Sequence, residues 1–281
     1  MKASPIINAD KLAKILKAPE LIIIHAGNNA RNIYDTQHIT NAHYLELNTD
    51  FSEVPKDYKN GGRHPLPEIN HFVKIIQKLG ITQDSYIVIY DDKNAANAAA
   101  RLWWMLRAAG LEKVQVLNGG LQTAINYGIQ TDTQIPLVPA SGDYTFTDWQ
   151  FPTFNIQEVE QATLQKDKLI IDVRETPRYN GETEPIDTIA GHIPTAQNAP
   201  FANNLAKDGT YKDPEELKQY FSELFSGYKP EDIVIHCGSG VTACHTLLAI
   251  DYAGLNIPNL YIGSWSEWSR NNKPIETITK I

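Results

Sequence analysis

Cys237 follows a short apolar strand pattern, Asp232-Ile-Val-Ile-His236, and precedes Gly238, Ser239, Gly240, Val241 and Thr242. An apolar helical pattern then runs through Leu247, Leu248, Ile250 and Tyr252. The order is strand, tight loop, helix. Small residues let the backbone curl about one centre, so that several N–H groups can point at the cysteine sulfur. The helix behind the loop adds the positive end of its dipole. A thiol placed there is expected to reach its thiolate readily. The predicted chemistry is nucleophilic attack by Cys237, with the backbone of Gly238, Gly240, Val241 and Thr242 cradling an anion.

Two other chemistries use a cysteine after a strand. A tyrosine phosphatase needs Cys-x5-Arg, because the arginine forks onto the phosphoryl oxygens. Ala243 stands at that position here. A metal site would draw on His236, Cys237, Cys244 and His245, which lack the paired spacing of a structural zinc site. Cys244 and His245 fall on the first turns of the helix, where Cys244 reads as a packed side chain with no disulfide to Cys237. No metal and no organic cofactor is expected.

The elements that must position this loop occur twice along 281 residues, a length that suits two domains. Leu21-Ile-Ile-Ile24 answers Leu169-Ile-Ile-Asp-Val173, and His38-Ile39 answers His192-Ile193. Ser85-Tyr-Ile-Val-Ile-Tyr90-Asp91 answers Asp232-Ile-Val-Ile-His236-Cys237. Leu102 to Gly110 answers Leu247 to Gly254, and Val116 to Gly120 answers Leu260 to Ser264. Matches in one order argue for two copies of a single α/β domain. Strands alternating with helical patterns predict a parallel sheet with helices on both faces. Ligands of such sheets bind beyond the carboxyl ends of the strands, where Cys237 falls. Asp91 holds the cysteine position of the first copy, whose loop Asp92-Lys-Asn-Ala-Ala-Asn-Ala98 has no sulfur nucleophile. The predicted boundaries are 1–136 for an inactive first domain, 137–153 for a Pro-containing linker and 154–281 for the catalytic domain.

Composition narrows the partners. A net charge of −8 speaks against nucleic acid. Two cysteines exclude a disulfide scaffold. The segment Met-Lys-Ala-Ser-Pro-Ile-Ile-Asn has no apolar core of a secretory signal, and no apolar run reaches membrane-spanning length. A cytoplasmic setting, where a thiol stays reduced, fits these features.

Cys237-Gly-Ser-Gly-Val-Thr-Ala243 resembles the active-site loop of the rhodanese superfamily, most closely that of its 3-mercaptopyruvate sulfurtransferases. Tyr34-x3-His38-Ile39 with Gly191-His192-Ile193-Pro194, and Tyr261-Ile-Gly-Ser-Trp-Ser-Glu-Trp268, are similar to two further signatures of that superfamily. The resemblance implies two tandem rhodanese-like domains and a Cys237 persulfide passed from a small anionic sulfur donor to a thiol such as thioredoxin or glutathione, or to cyanide. It leaves two alternatives: a thiosulfate sulfurtransferase, or a persulfide carrier in a sulfur relay. Thiosulfate enzymes of the superfamily carry basic side chains where this chain has Gly238 and Ser239, so conversion of that pair to Arg-Lys is expected to favour thiosulfate.

The resemblance also implies that Arg178 binds the donor carboxylate, and that Ser239 and His64 belong to a proton relay whose acid falls on Asn48 or Glu46. Related enzymes have a second carboxylate-binding arginine a few residues after the first. Gly181 to Gly191 holds no Arg or Lys, so Arg63 is the candidate to supply that charge from the first half of the chain. Arg174 and Asp172, at a strand end, read as a structural ion pair and a buried carboxylate.

Overall fold

Unbroken apolar strand runs need cover on both faces, and parallel sheets provide it. The computed structural model describes residues 4–93, 98–137 and 140–278. Its strands are Ile6–Ile7 (β1), Leu21–Gly27 (β2), His38–Ile39 (β3), Ala42–Glu46 (β4), Tyr86–Tyr90 (β5), Val114–Leu117 (β6), Thr131–Asp132 (β7), Thr153–Phe154 (β8), Leu169–Asp172 (β9), Gln197–Asn198 (β10), Ile233–His236 (β11) and Asn259–Tyr261 (β12). One parallel sheet has the order β1-β6-β5-β2-β4, and the other, read in the matching sense, β8-β12-β11-β9-β10. The two orders are the same topology, with helices between the strands, so the repeated α/β architecture is present. A small antiparallel pair, β3 with β7, stands apart from both sheets.

The repeat extends to single side chains. Tyr34 stacks on His38 at 3.9 Å between ring centroids, and Tyr179 stacks on His192 at 3.8 Å. In each pair the histidine Nδ1 meets the tyrosine carbonyl, at 2.7 and 2.8 Å. The tyrosine hydroxyls donate to Ala42 and Ala196 carbonyls. Register refines one correspondence. His25 lies opposite Tyr90 as Asp172 lies opposite His236, so His25, not Ile24, is the counterpart of Asp172.

The chain divides into two units that are not continuous in sequence. One comprises the chain up to Glu53 with Leu66–Gln150 and Lys207–Tyr211. The other comprises Val54–Pro65, Phe151–Ala206 and the chain from Lys212. In the first unit the stretch before Gln150 lies along its own core: Tyr144 donates to the Ala109 carbonyl, and Trp149 packs on Phe72 and Trp104. In the second, the core gathers Ile170, Val234, Tyr261, Trp265 and Trp268. The segment at Val54–Pro65 is sewn to it by hydrogen bonds from Gly61 N to Glu267 and from Asn271 to the Lys59 carbonyl.

In the first unit Asp91 supplies its own anion. Its two carboxylate oxygens accept from Lys93 N at 2.9 Å and Ala99 N at 3.1 Å, at the start of the helix Ala98–Ala108. Residues 94–97 of that predicted loop lie outside the described residues, as do residues 1–3 and Pro139 of the predicted linker. Among the described residues, no helix is long and apolar enough to cross a membrane.

Candidate active site

β11 is buried along its whole length and is followed at once by Cys237, itself 2% exposed. The loop Gly238–Val241 leads into the helix Thr242–Tyr252. Gly240 has φ of 72°, and a Cβ there would lie 2.4 Å from the Ile262 carbonyl oxygen. Only glycine satisfies both conditions. Gly240→Ala is therefore expected to lower stability by at least about 2 kcal/mol, measured by denaturant unfolding.

The backbone of the loop is gripped from one side. Cys237 N donates to Ser264 Oγ, Trp265 N donates to the Cys237 carbonyl, and Ser266 N donates to the Gly238 carbonyl. In the signature from Tyr261 to Trp268 the tryptophans Trp265 and Trp268 are buried, and Ser264 and Ser266 fix the cysteine loop. Sequence could have pointed to them only through their place after β12, the neighbour of β11. The carbonyls are thus held outward. Among the described residues, the Gly238, Ser239 and Val241 N–H groups donate to no protein acceptor.

Two guanidinium groups converge over the residue after the cysteine. A Cβ on Gly238 would lie 3.3 Å from Arg63 Nη2 and 3.4 Å from Arg178 Nη2. Arg63 belongs to the second unit through the segment Val54–Pro65, and its N–H donates to Ser266 Oγ at 3.0 Å. Ser266 therefore fastens both Arg63 and the loop. A Cβ on Gly238 requires the Arg63 guanidinium to give by a few tenths of an ångström, and a long side chain requires a larger shift of these groups. That is an obstacle to the Arg-Lys conversion that the sequence made attractive.

His64, next to Arg63, places Nδ1 2.8 Å from Ser239 Oγ. Both side chains are largely buried. Of the two residues considered as a relay acid, Glu46 is committed within the first unit to Tyr44 Oη at 2.6 Å and to Asn29 N.

Arg178 is held by Glu184, with Nη2 to Oε1 at 2.8 Å and Nε to Oε2 at 3.1 Å. Burial works against its charge, but the bonds to Glu184, with Glu175 and Asp187 nearby, raise the guanidinium above its ordinary pKa. Glu184 also accepts from Arg174 Nη1. Arg174 in turn forks onto Asp172 and donates to the Gly191 carbonyl, while its guanidinium lies 4.5 Å from the Trp265 ring centroid. Burial opposes the Asp172 charge, but His236 and the Arg174 fork hold its pKa below the usual value. Burial lowers the His236 pKa against the pull of Asp172.

Neither cysteine forms a disulfide. Cys244 points its thiol at the Gly240 carbonyl, 3.3 Å away, from within the helix.

Comparison with known proteins bears on this geometry. The family description "Rhodanese-like domain" matches residues 8–125 and 155–271. A Pseudomonas aeruginosa protein named probable 3-mercaptopyruvate sulfurtransferase is 38% identical over 291 residues, covering 99% of each chain. The Escherichia coli K12 3-mercaptopyruvate sulfurtransferase is 35% identical, covering 99% of this chain and all of that one. The solved structure of Escherichia coli SseA, described as a 3-mercaptopyruvate sulfotransferase, superposes with a TM-score of 0.78 at 30% identity. It covers 94% of this chain and 100% of that one.

Proposed function

We propose that this chain, which belongs to the rhodanese-like domain family, is a sulfurtransferase that takes sulfur from 3-mercaptopyruvate. The observation that carries the reading is the convergence of Arg63 and Arg178 over Gly238, one residue from the nucleophile. A planar carboxylate can fork onto such groups while its thiol sulfur reaches Cys237.

The Cys237 thiolate attacks the donor sulfur and the carbon–sulfur bond breaks. Its electron pair stays on carbon as the enolate of pyruvate. The proton of the donor thiol moves to that carbon, passing through Ser239 and His64 or through water. Pyruvate leaves, and Cys237 carries a persulfide anion. The loop N–H groups stabilise that anion as an oxyanion hole stabilises oxygen. A thiol, such as thioredoxin or glutathione, or cyanide then takes the outer sulfur and regenerates the thiolate. No step in this path needs a metal or organic cofactor. A cytoplasmic setting would keep the thiol and its acceptors reduced.

One observation favours the runner-up, thiosulfate. The loop lacks basic side chains of its own, yet Arg63 and Arg178 bring cations to the same place. Both are already shared with buried carboxylates, Asp187 and Glu184, which weakens their pull on a dianion. Catalytic efficiency with 3-mercaptopyruvate is therefore expected to exceed that with thiosulfate by at least about tenfold. Parallel assays of both donors under identical conditions measure the ratio. Equal or better efficiency with thiosulfate overturns the donor assignment. Rapid release of pyruvate separates an enzyme from a persulfide carrier.

A further inference from the structure

Arg63 splits its fork between two tasks. Nη2 overhangs Gly238, while Nη1 donates to Asp187 Oδ1 at 2.8 Å. Arg270 Nη1 donates to the same oxygen at 2.8 Å. The other oxygen, Oδ2, lies 3.7 Å from Arg178 Nη2 and is buried with no hydrogen-bond partner among the described residues. The Asp187 side chain is 0% exposed, whereas the three arginine side chains facing it are 11–17% exposed. One fully buried carboxylate thus stands behind the cations that face the loop. The chain holds it there: Asp187 N donates to Glu184 Oε1, and the Ile189 carbonyl accepts from Trp265 Nε1.

This placement has two consequences. A guanidinium bonded through Nη1 has its plane and direction set, so Asp187 aims Nη2 of Arg63 at the space above Gly238. The carboxylate also leaves a negative charge close to any bound anion, with little solvent between them to screen it. Repulsion scales with ligand charge, so it opposes a dianion about twice as strongly as a monoanion.

We propose that Asp187 is a positioning and specificity-determining residue that directs Arg63 to the anion site and makes the site favour singly charged over doubly charged ligands. The proposal rests on the donor site described above and concerns how that site discriminates.

The test uses the full chain at fixed ionic strength, with pyruvate as the monoanionic probe and sulfate as the dianionic probe. Affinities are measured by calorimetry, and catalytic efficiencies with 3-mercaptopyruvate and thiosulfate are measured alongside. Asp187→Asn keeps an oxygen acceptor for Arg63 and Arg270 but removes the charge. It is expected to shift the sulfate-to-pyruvate affinity ratio toward sulfate by about tenfold, and the thiosulfate-to-mercaptopyruvate ratio in the same direction. Asp187→Glu keeps the charge and should leave the affinity ratio within about twofold of wild type.

Removing the charge alone leaves Arg63 and Arg270 without their carboxylate, while Arg178 keeps Glu184, and the loss endangers folding. The paired variant Asp187→Asn/Arg270→Gln removes one charge of each sign and is compared with Arg270→Gln alone. The same tenfold shift is expected between those two. A shift below about twofold in a folded Asp187→Asn protein, or between the paired variant and Arg270→Gln, overturns the proposal and leaves Asp187 a structural ion-pair partner. If the wild-type protein releases no pyruvate from mercaptopyruvate, the proposed function fails, while the calorimetric ratio still decides the role of Asp187.

Discussion

Cys237→Ser is expected to abolish both sulfur transfer and persulfide formation. Intact-mass measurement after donor treatment should show a one-sulfur adduct on the wild-type chain and none on the variant. The reason is chemical: a serine hydroxyl at this position cannot be held as the anion that attacks sulfur, whereas a thiolate can. The fold should tolerate the exchange. The contacts that fix the loop run through the Cys237 N–H and carbonyl, to Ser264 and Trp265, and do not use the thiol. An adduct that persists on the variant would move the nucleophile to Cys244. That thiol is 0% exposed and engaged with the Gly240 carbonyl inside the helix, a poor place from which to attack.

The features readable from sequence were those carried by local pattern. The strand-loop-helix order around Cys237 shows in apolar runs and small residues, and the repeat shows because both copies keep the same order of strands. Arg178 was a candidate through its resemblance to a family position and Arg63 as the replacement for a missing arginine, while Asp187 and Arg270 carried no signal. Arg63 lies 174 residues before Cys237, and no periodicity marks Val54–Pro65 as part of the second unit. That placement depends on Gly61, Gly62 and Arg63 meeting Gly263, Ser266 and Glu267, contacts between distant backbone segments. Gly62, with φ of 78°, has its Cβ position 2.3 Å from the Gly263 carbonyl, a close approach that only glycine permits. Asp187 lies in a loop whose apolar residues Ile186 and Ile189 are exposed. Its side chain turns inward because three arginines are there to receive it.

Arg178→Ala and Arg63→Ala are each expected to slow the donor half-reaction by roughly tenfold to over a hundredfold, the loss of one charge-assisted hydrogen bond of about 1.5–3 kcal/mol. Transfer from the preformed persulfide to cyanide should change far less, because the persulfide is held by loop N–H groups and carries no carboxylate. Separate measurement of the two half-reactions resolves the difference. The two arginines flank one point, so the double variant should lose less than the product of the single losses. Stability must be followed in parallel. Arg178 also neutralises Glu184, and its removal leaves a buried carboxylate to the remaining partner Arg174, whereas Asp187 keeps Arg270 when Arg63 is gone. Arg178→Ala should therefore be the less stable of the two proteins while both lose donor affinity. If a variant slows both half-reactions equally, its arginine shapes the loop and does not bind the donor. If Arg63→Ala leaves the donor step unchanged, the second cation over Gly238 is idle in catalysis, and the carboxylate is bound by Arg178 alone.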